Sequence, residues 1–285
     1  MSAVPSIVGV VGGGRMGAGI AQIFAVAGAE VTIVEADGVA ADAARERVRR
    51  GVEQGAAKGK LGAEPSDVLR RITTVTSVED LAPETGLVVE AVPEIAEAKL
   101  SVLTAVEKII GPDAVIASNT SSLSIADLGT VLEHPKRFLG LHFFNPVPAS
   151  ALVEVVRAAD TSSVVVSSAV DWVAALGKTE IVVKDSPGFA TSRLGVLLGL
   201  EAIRMLEEDV ADAESIDRAM ELGYRHPMGP LKSTDLVGLD VRLAIADYLH
   251  RTVGERFRAP MLLRDKVARG ELGKKSGQGF YTWPS

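Results

Sequence analysis

Ile7-Val8-Gly9-Val10-Val11-Gly12-Gly13-Gly14-Arg15-Met16-Gly17 is the stretch whose reading decides the fold. Five apolar or small residues run straight into G-x-G-x-x-G, and a helix-period segment, Met16–Ala27, follows. A glycine-rich turn between a buried strand and a helix is the dinucleotide-binding arrangement. Gly12 permits the tight turn, Gly14 lets backbone approach a pyrophosphate, and Gly17 lets helix and strand pack closely. The helix N-terminus then offers unpaired N–H groups and a positive dipole end to the phosphates. Gly12, Gly14, Met16 and Gly17 are read as cofactor-binding positions. Glu35 closes the next apolar run, 23 residues after Gly12. A carboxylate there bonds the ribose 2′-hydroxyl and repels a 2′-phosphate, which favours NAD over NADP. Arg15, inside the loop, softens that preference.

Outward from this motif the pattern repeats. Val31–Glu35, Ile72–Thr76, Leu87–Val92, Val115–Ser118, Phe138–Phe144, Leu152–Val156 and Ile181–Val183 read as strands. Val39–Lys58, Ala96–Ile110 and Ser162–Leu176 read as helices between them. Strand–helix alternation with near-continuous Val and Ile runs predicts an α/β fold, a Rossmann-type, doubly wound, mainly parallel sheet covered on both faces. Beyond Asp185-Ser186-Pro187-Gly188 no strand is convincing, and Phe189–Glu208, Ser215–Leu222, Val237–Val253 and Pro260–Arg269 read as helices. The expected division is a nucleotide-binding domain over 1–185 and an all-α domain over 186–285 that supplies a cleft wall and a dimer face.

The chain has 285 residues, 47% of them apolar, which is ample for a core. Its net charge of −7 argues against a nucleic-acid binder, which needs a basic surface to displace counterions, while leaving room for a local basic pocket. With no cysteine, disulfides, thiolate metal sites and cysteine nucleophiles are excluded. Four histidines without H-x-x-x-H spacing predict no metal site. The first residues lack a basic leader region, and no apolar run reaches the ~18 residues of a membrane helix, so an intracellular, cytoplasmic protein without membrane contact is expected.

Two further stretches carry chemistry. Asn119-Thr120-Ser121-Ser122 follows a strand, where doubly wound folds bind ligands; on spacing alone it also reads as a cap for a helix starting near Ile125. His142 closes an apolar strand, and Glu154 lies inside the next. A carboxylate in an apolar strand is costly unless paired, and an imidazole on the neighbouring strand is a sensible partner. Such a pair fixes the tautomer and makes His142 a base for an alcohol proton. The alternative reading is two unrelated groups, each satisfied locally.

At this point the residues resemble the L-3-hydroxyacyl-CoA dehydrogenases, including 3-hydroxybutyryl-CoA dehydrogenases. Glu90-Ala91-Val92-Pro93-Glu94, Ser118-Asn119-Thr120-Ser121-Ser122, Leu141-His142-Phe143-Phe144-Asn145-Pro146, Pro227-Met228-Gly229-Pro230 and Lys275-Ser276-Gly277-Gln278-Gly279-Phe280 carry the likeness, in family order, across nearly the whole chain. The resemblance implies NAD-dependent interconversion of (3S)-3-hydroxyacyl-CoA, with short chains expected, and 3-oxoacyl-CoA, and a homodimer formed through the helical domain. It implies His142 as catalytic base, Glu154 as its carboxylate partner, Ser121 at substrate and nicotinamide, and Asn145 at the nicotinamide. It implies cofactor contacts for Glu35, Glu94 and Lys99. The segment Gly51–Lys60 matches the part that covers the CoA nucleotide, where Lys58 is assigned a CoA phosphate; a solvated helix-end lysine is the alternative. Ser192 stands where the family usually has an active-site Asn, and Ala151 where Lys is frequent. Two other readings stay open: an NAD-dependent dehydrogenase of a free hydroxy acid of the gulonate type, on the crystallin-like branch, and a non-catalytic dinucleotide-binding relative.

Overall fold

A computed structural model describes residues 4–284; residues 1–3, part of the stretch read for a leader, lie outside it. The chain forms two compact units and passes from one to the other between Ser186 and Pro187.

In the first unit the elements are β1 (Ile7–Val11), α1 (Arg15–Val26), β2 (Glu30–Val34), α2 (Gly38–Ala57), α3 (Pro65–Arg70), β3 (Ile72–Val75), β4 (Leu87–Glu90), α4 (Ala96–Ile109), β5 (Val115–Ser118), α5 (Ile125–Gly129), β6 (Phe138–Phe143), β7 (Leu152–Arg157), α6 (Ser163–Ala175) and β8 (Thr179–Lys184). They build one eight-stranded sheet in the order β3-β2-β1-β4-β5-β6-β7-β8. Every neighbouring pair is parallel except β6 with β7. The strands β1, β4, β5 and β6 are enclosed on both faces, as their Val, Ile and Leu content requires. Val8, Val10, Ile33, Val89, Ala117 and Leu139 from the sheet pack with Ile20, Phe24, Val48 and Val52 from α1 and α2.

This topology positions the site. The order reverses at β1, and because β1, β4, β5 and β6 are parallel, their carboxyl ends open on one edge, where doubly wound sheets bind ligands. Since β7 runs antiparallel to β6, its beginning lies on that same edge.

The second unit is helical: α7 (Thr191–Glu207), α8 (Ala213–Gly223), α9 (Pro230–Val237), α10 (Leu239–Val253) and α11 (Met261–Ala268). Its core gathers Val196, Leu200, Ile203, Leu231, Leu239, Leu249 and Leu263.

Several boundaries differ from expectation. The helix expected over Val237–Val253 is α10, which starts two residues later at Leu239; α9 before it was not expected, and Gly238 at φ +105° separates the two. A β-carbon at Gly238 would sit 3.0 Å from Asp240 Oδ1, so the break is fixed by a conformation that only glycine adopts at low cost. The first turn of α9 begins with Pro230, pre-set at φ for a helix start. The short α3 was not expected, whereas α5 starts at Ile125, where the capping reading put a helix. The strand expected over Leu87–Val92 ends at Glu90, whose Oε1 accepts from the Val92 N–H at 2.7 Å and turns the chain out of the sheet.

Candidate active site

The glycine loop joins β1 to α1. Gly12 has φ +95°, and a β-carbon there would lie 2.8 Å from the Ala91 carbonyl oxygen. At Gly17 a β-carbon would be 1.8 Å from the Gly12 carbonyl oxygen, so α1 packs on the loop only without a side chain. Gly14 has no heavy atom within 4 Å of that position and is exposed, which leaves backbone open to an approaching phosphate. The first turn of α1 carries no acid and no side-chain cap, so its N–H groups remain available to an anion. Met16 is half-buried beside the loop. The Glu35 carboxylate accepts from the Gly13 N–H at 2.7 Å, just beyond β2. This set fits the pyrophosphate and ribose of NAD.

Next along the edge is a charge cluster. Glu90, at the end of β4, and Lys99, on α4, are both enclosed. Lys99 Nζ donates to Glu90 Oε1 at 2.8 Å and Oε2 at 3.0 Å, and to the Val92 carbonyl at 3.3 Å. Ser118 Oγ donates to Glu90 Oε2 at 2.5 Å. The same ammonium lies 3.2 Å from Glu94 Oε2. Lys99, expected to contact the cofactor, is 1% exposed and its ammonium is bonded to both acids, which fixes Glu94. Burial pushes the Glu94 carboxyl up, but the Lys99 ammonium and hydrogen bonds from Thr120 and Ser121 outweigh it and hold Glu94 below the usual carboxylate range.

The Asn119–Ser122 loop wraps Glu94. Its Oε1 accepts from Thr120 Oγ1 at 2.7 Å, Ser121 N at 2.8 Å and Ser121 Oγ at 3.2 Å. Asn119 Oδ1 accepts from Phe143 N at 3.0 Å, tying the loop to the end of β6. The capping role considered for this run belongs to Ser124, whose hydroxyl accepts from Asp127 N at the start of α5.

His142 and Glu154 are directly opposite in the β6–β7 register. His142 Nδ1 lies 2.6 Å from Glu154 Oε2, with the two residues 6% and 0% exposed. A carboxylate only accepts, so Nδ1–H donates and Nε2 is the basic nitrogen. The Phe144 ring packs on the imidazole, with centroids 4.4 Å apart. Asn145 follows on the exposed turn after β6.

A cavity of about 670 Å³ joins this turn to α1 and α2. It brings Asn145 and the expected Lys58 to one surface, together with Arg15, Arg47, Arg50 and Lys60. Among the described residues no acid lines it, and a chain with net charge −7 presents five cations to one hollow. Arg47, Arg50 and Lys60 were missed in the sequence. The signal for the two arginines was the spacing Arg47, Arg50, Gln54 and Lys58, one stripe of α2 and its C-cap; Lys60 lies beyond the helix. Arg47 Nη1 also donates to the Gly13 carbonyl at 3.2 Å, linking this face to the glycine loop. Ser192, on the second turn-forming position of α7, is half-buried in the helical unit. Among the described residues no group of His, Asp and Glu side chains is arranged to hold a metal, and no helix is long and apolar enough to cross a membrane.

Comparison with other proteins agrees with this architecture. Residues 7–186 match the family profile described as 3-hydroxyacyl-CoA dehydrogenase, NAD binding domain, and residues 188–283 match 3-hydroxyacyl-CoA dehydrogenase, C-terminal domain. The chain is 41% identical over 280 residues to a 3-hydroxybutyryl-CoA dehydrogenase of Mycobacterium tuberculosis, covering 97% of this chain and 98% of that one. It is 38% identical over 286 residues to the mitochondrial hydroxyacyl-coenzyme A dehydrogenase of Sus scrofa, covering 96% and 90%. The structure of (S)-3-hydroxybutyryl-CoA dehydrogenase from Ralstonia eutropha superposes with a TM-score of 0.93 at 40% identity, covering 98% of this chain and 99% of that one. With both profiles matched in order and relatives aligned end to end, the chain belongs to the 3-hydroxyacyl-CoA dehydrogenase family.

Proposed function

We propose that this protein interconverts (3S)-3-hydroxyacyl-CoA and 3-oxoacyl-CoA, with His142 as general base. The observation that carries the proposal is the enclosed His142–Glu154 pair at the carboxyl edge of the sheet. NAD, when bound, supplies the hydride acceptor; everything else is the work of the protein. His142 Nε2 takes the hydroxyl proton, and the Glu154 carboxylate orients the ring and stabilises the imidazolium that forms. Ser121, anchored on Glu94, and Asn145 position the reacting groups. Glu35 and the Gly12–Gly17 loop bind the dinucleotide, with Lys99 acting through Glu94. Ser192 contributes a shorter hydroxyl where relatives have an amide.

The five-cation cavity supports a CoA thioester over a free hydroxy acid, since the nucleotide end of CoA carries phosphates and a small free acid does not. Lys58, Arg47 and Arg50 are its counter-charges in this reading, with Lys60 at the rim. We also place the functional division at residues 185 and 186, a homodimer through the helical domain, and a cytoplasmic location in this proposal. The test is steady-state reduction of 3-oxobutyryl-CoA, then of longer 3-oxoacyl-CoA substrates, with NADH and NADPH. Turnover with NADH supports the proposal. Binding of NADH without turnover of any 3-oxoacyl-CoA overturns it.

A further inference from the structure

We infer that Lys178 is a positioning residue of the reaction: its ammonium clamps the turn that carries Asn145, and turnover depends on it through Asn145. The inference rests on the proposed role of Asn145 beside the reacting groups.

Local rules lead the chain to this place. At the end of α6, Gly177 takes φ +69°, a left-handed conformation that glycine adopts at low cost. The N–H groups of Gly177 and Lys178 close the helix on the Ala174 and Val173 carbonyls. β8 then starts at Thr179, whose N–H donates to the Ala151 carbonyl at 2.6 Å, and Thr179 faces Leu152 in the parallel β7–β8 register. Lys178 therefore stands beside the start of β7, on the sheet edge where β6 delivers His142.

The turn 144–151 joins β6 to β7, and three anchors hold it. At its start Phe143 N donates to Asn119 Oδ1 at 3.0 Å. In its middle Val147 is buried against α1, where a β-carbon at Gly19 would lie 2.8 Å from Val147 Cβ. Lys178 Nζ is the third anchor, donating to the Val147 carbonyl at 2.7 Å and the Ser150 carbonyl at 2.6 Å. The N–H groups of Ala149 and Ser150 both turn back to the Pro146 carbonyl at 3.0 Å, so the ammonium spans a tight coil. Asn145 is exposed and its side chain makes no hydrogen bond among the described residues, so the turn alone sets its place.

Lys178 is half-buried, and burial lowers its pKa from the ordinary lysine value with no carboxylate paired to it among the described residues. An ammonium carries three donors, and a methionine of matching length carries none. With the clamp removed, two carbonyls lose their donor and the turn keeps two of its three anchors. Asn145 then leaves its place beside the reacting groups, and misplacement of roughly 1 Å costs on the order of 100-fold in rate.

The test is a double-mutant cycle in the full-length protein, with 3-oxobutyryl-CoA and NADH. Lys178→Met is expected to lower kcat by roughly 10–100-fold, with NADH affinity retained in fluorescence titration. In an Asn145→Ala background the same change is expected to lower kcat by no more than about twofold, because the turn then has no amide to position. The chain has no cysteine, so Lys178→Cys carries its single thiol. Alkylation of that variant with 2-bromoethylamine restores an ammonium at the length of lysine and should return most of kcat; iodoacetamide, which adds no cation, should not. Wild-type kcat in Lys178→Met, or effects that multiply in the double variant, overturns the inference and leaves the proposed activity in place. Equal recovery with both reagents makes Lys178 a filler of space and overturns it as well. Absence of wild-type turnover on every 3-oxoacyl-CoA overturns it together with the proposed activity. Should Lys178→Met not fold, Lys178→Gln, which keeps an amide donor, takes its place in the cycle; if neither folds, the lysine serves the fold alone and the inference fails.

Discussion

The two units both bury carboxylates, and they use them differently. In the sheet unit, Glu154 and Glu90 are each completed by a titratable side chain, His142 and Lys99. In the helical unit, Asp235 accepts from Phe280 N at 2.8 Å, Tyr281 N at 2.9 Å and Trp283 Nε1 at 2.8 Å. Asp217 accepts from Leu231 N at 2.7 Å, Lys232 N at 2.9 Å and the Tyr281 hydroxyl at 2.8 Å. Burial, and then the hydrogen bond to Asp217, pushes the Tyr281 phenol upward, so it stays a donor. Donors with fixed protons make a carboxylate a structural fastener, here for the carboxyl-terminal segment on α8 and α9. A partner able to exchange its proton, as proposed for His142, would make the same group an instrument of chemistry, whereas Lys99 only holds its acids. Burial alone therefore does not mark an active site; the identity of the partner does.

The sharpest way to break this contrast is His142→Ala. It is expected to lower kcat by about 10²–10⁴-fold with NADH affinity retained, as measured by steady-state kinetics and cofactor fluorescence titration. A variant with wild-type turnover would move the chemistry elsewhere. Next, Lys99→Met leaves Glu90 buried without its counter-charge and is expected to cost about 3–5 kcal/mol in denaturant unfolding. Asp235→Asn should cost about 1–3 kcal/mol by the same measurement, because an amide cannot accept all three donors, while leaving the pH–rate profile in place. A changed profile would show that the helical unit's acids also take part in the chemistry.

The smallest effect is in the Glu94 loop. Its carboxyl is depressed in the folded protein, so its contribution is fully present above the unfolded value near 4.5 and is lost as pH falls through the lower folded value. Amide chemical shifts of Ser121 and Ser122 should hold steady down to that value and move only below it. Movement at higher pH would mean that Lys99 does not hold the carboxylate ionised.

Much of this was legible in the chain. The strand–glycine–helix run at 7–27 is local, and Gly12 and Gly17 fill the turn and packing roles their spacing predicts. His142 and Glu154 were paired because both lie in apolar strands adjacent in sequence, and antiparallel register does the rest. What was hidden depends on distant packing. Nothing near Lys99 shows that its charge is enclosed beneath β4. The Arg47–Arg50 stripe points into a cavity only once the turn at 145–149 closes over it. Helices α3 and α5, of six and five residues, are too short for apolar periodicity to register. The break at Gly238 is visible only as a backbone angle.

The central claim is that Glu154 orients the His142 ring for proton transfer. It is tested most directly by the pH dependence of kcat/KM for (3S)-3-hydroxybutyryl-CoA oxidation in wild type and Glu154→Gln. The predicted result is a plateau lowered about 10–100-fold, because a neutral amide no longer holds the ring in place or stabilises the imidazolium. Superimposable profiles, in height and position, would contradict the account.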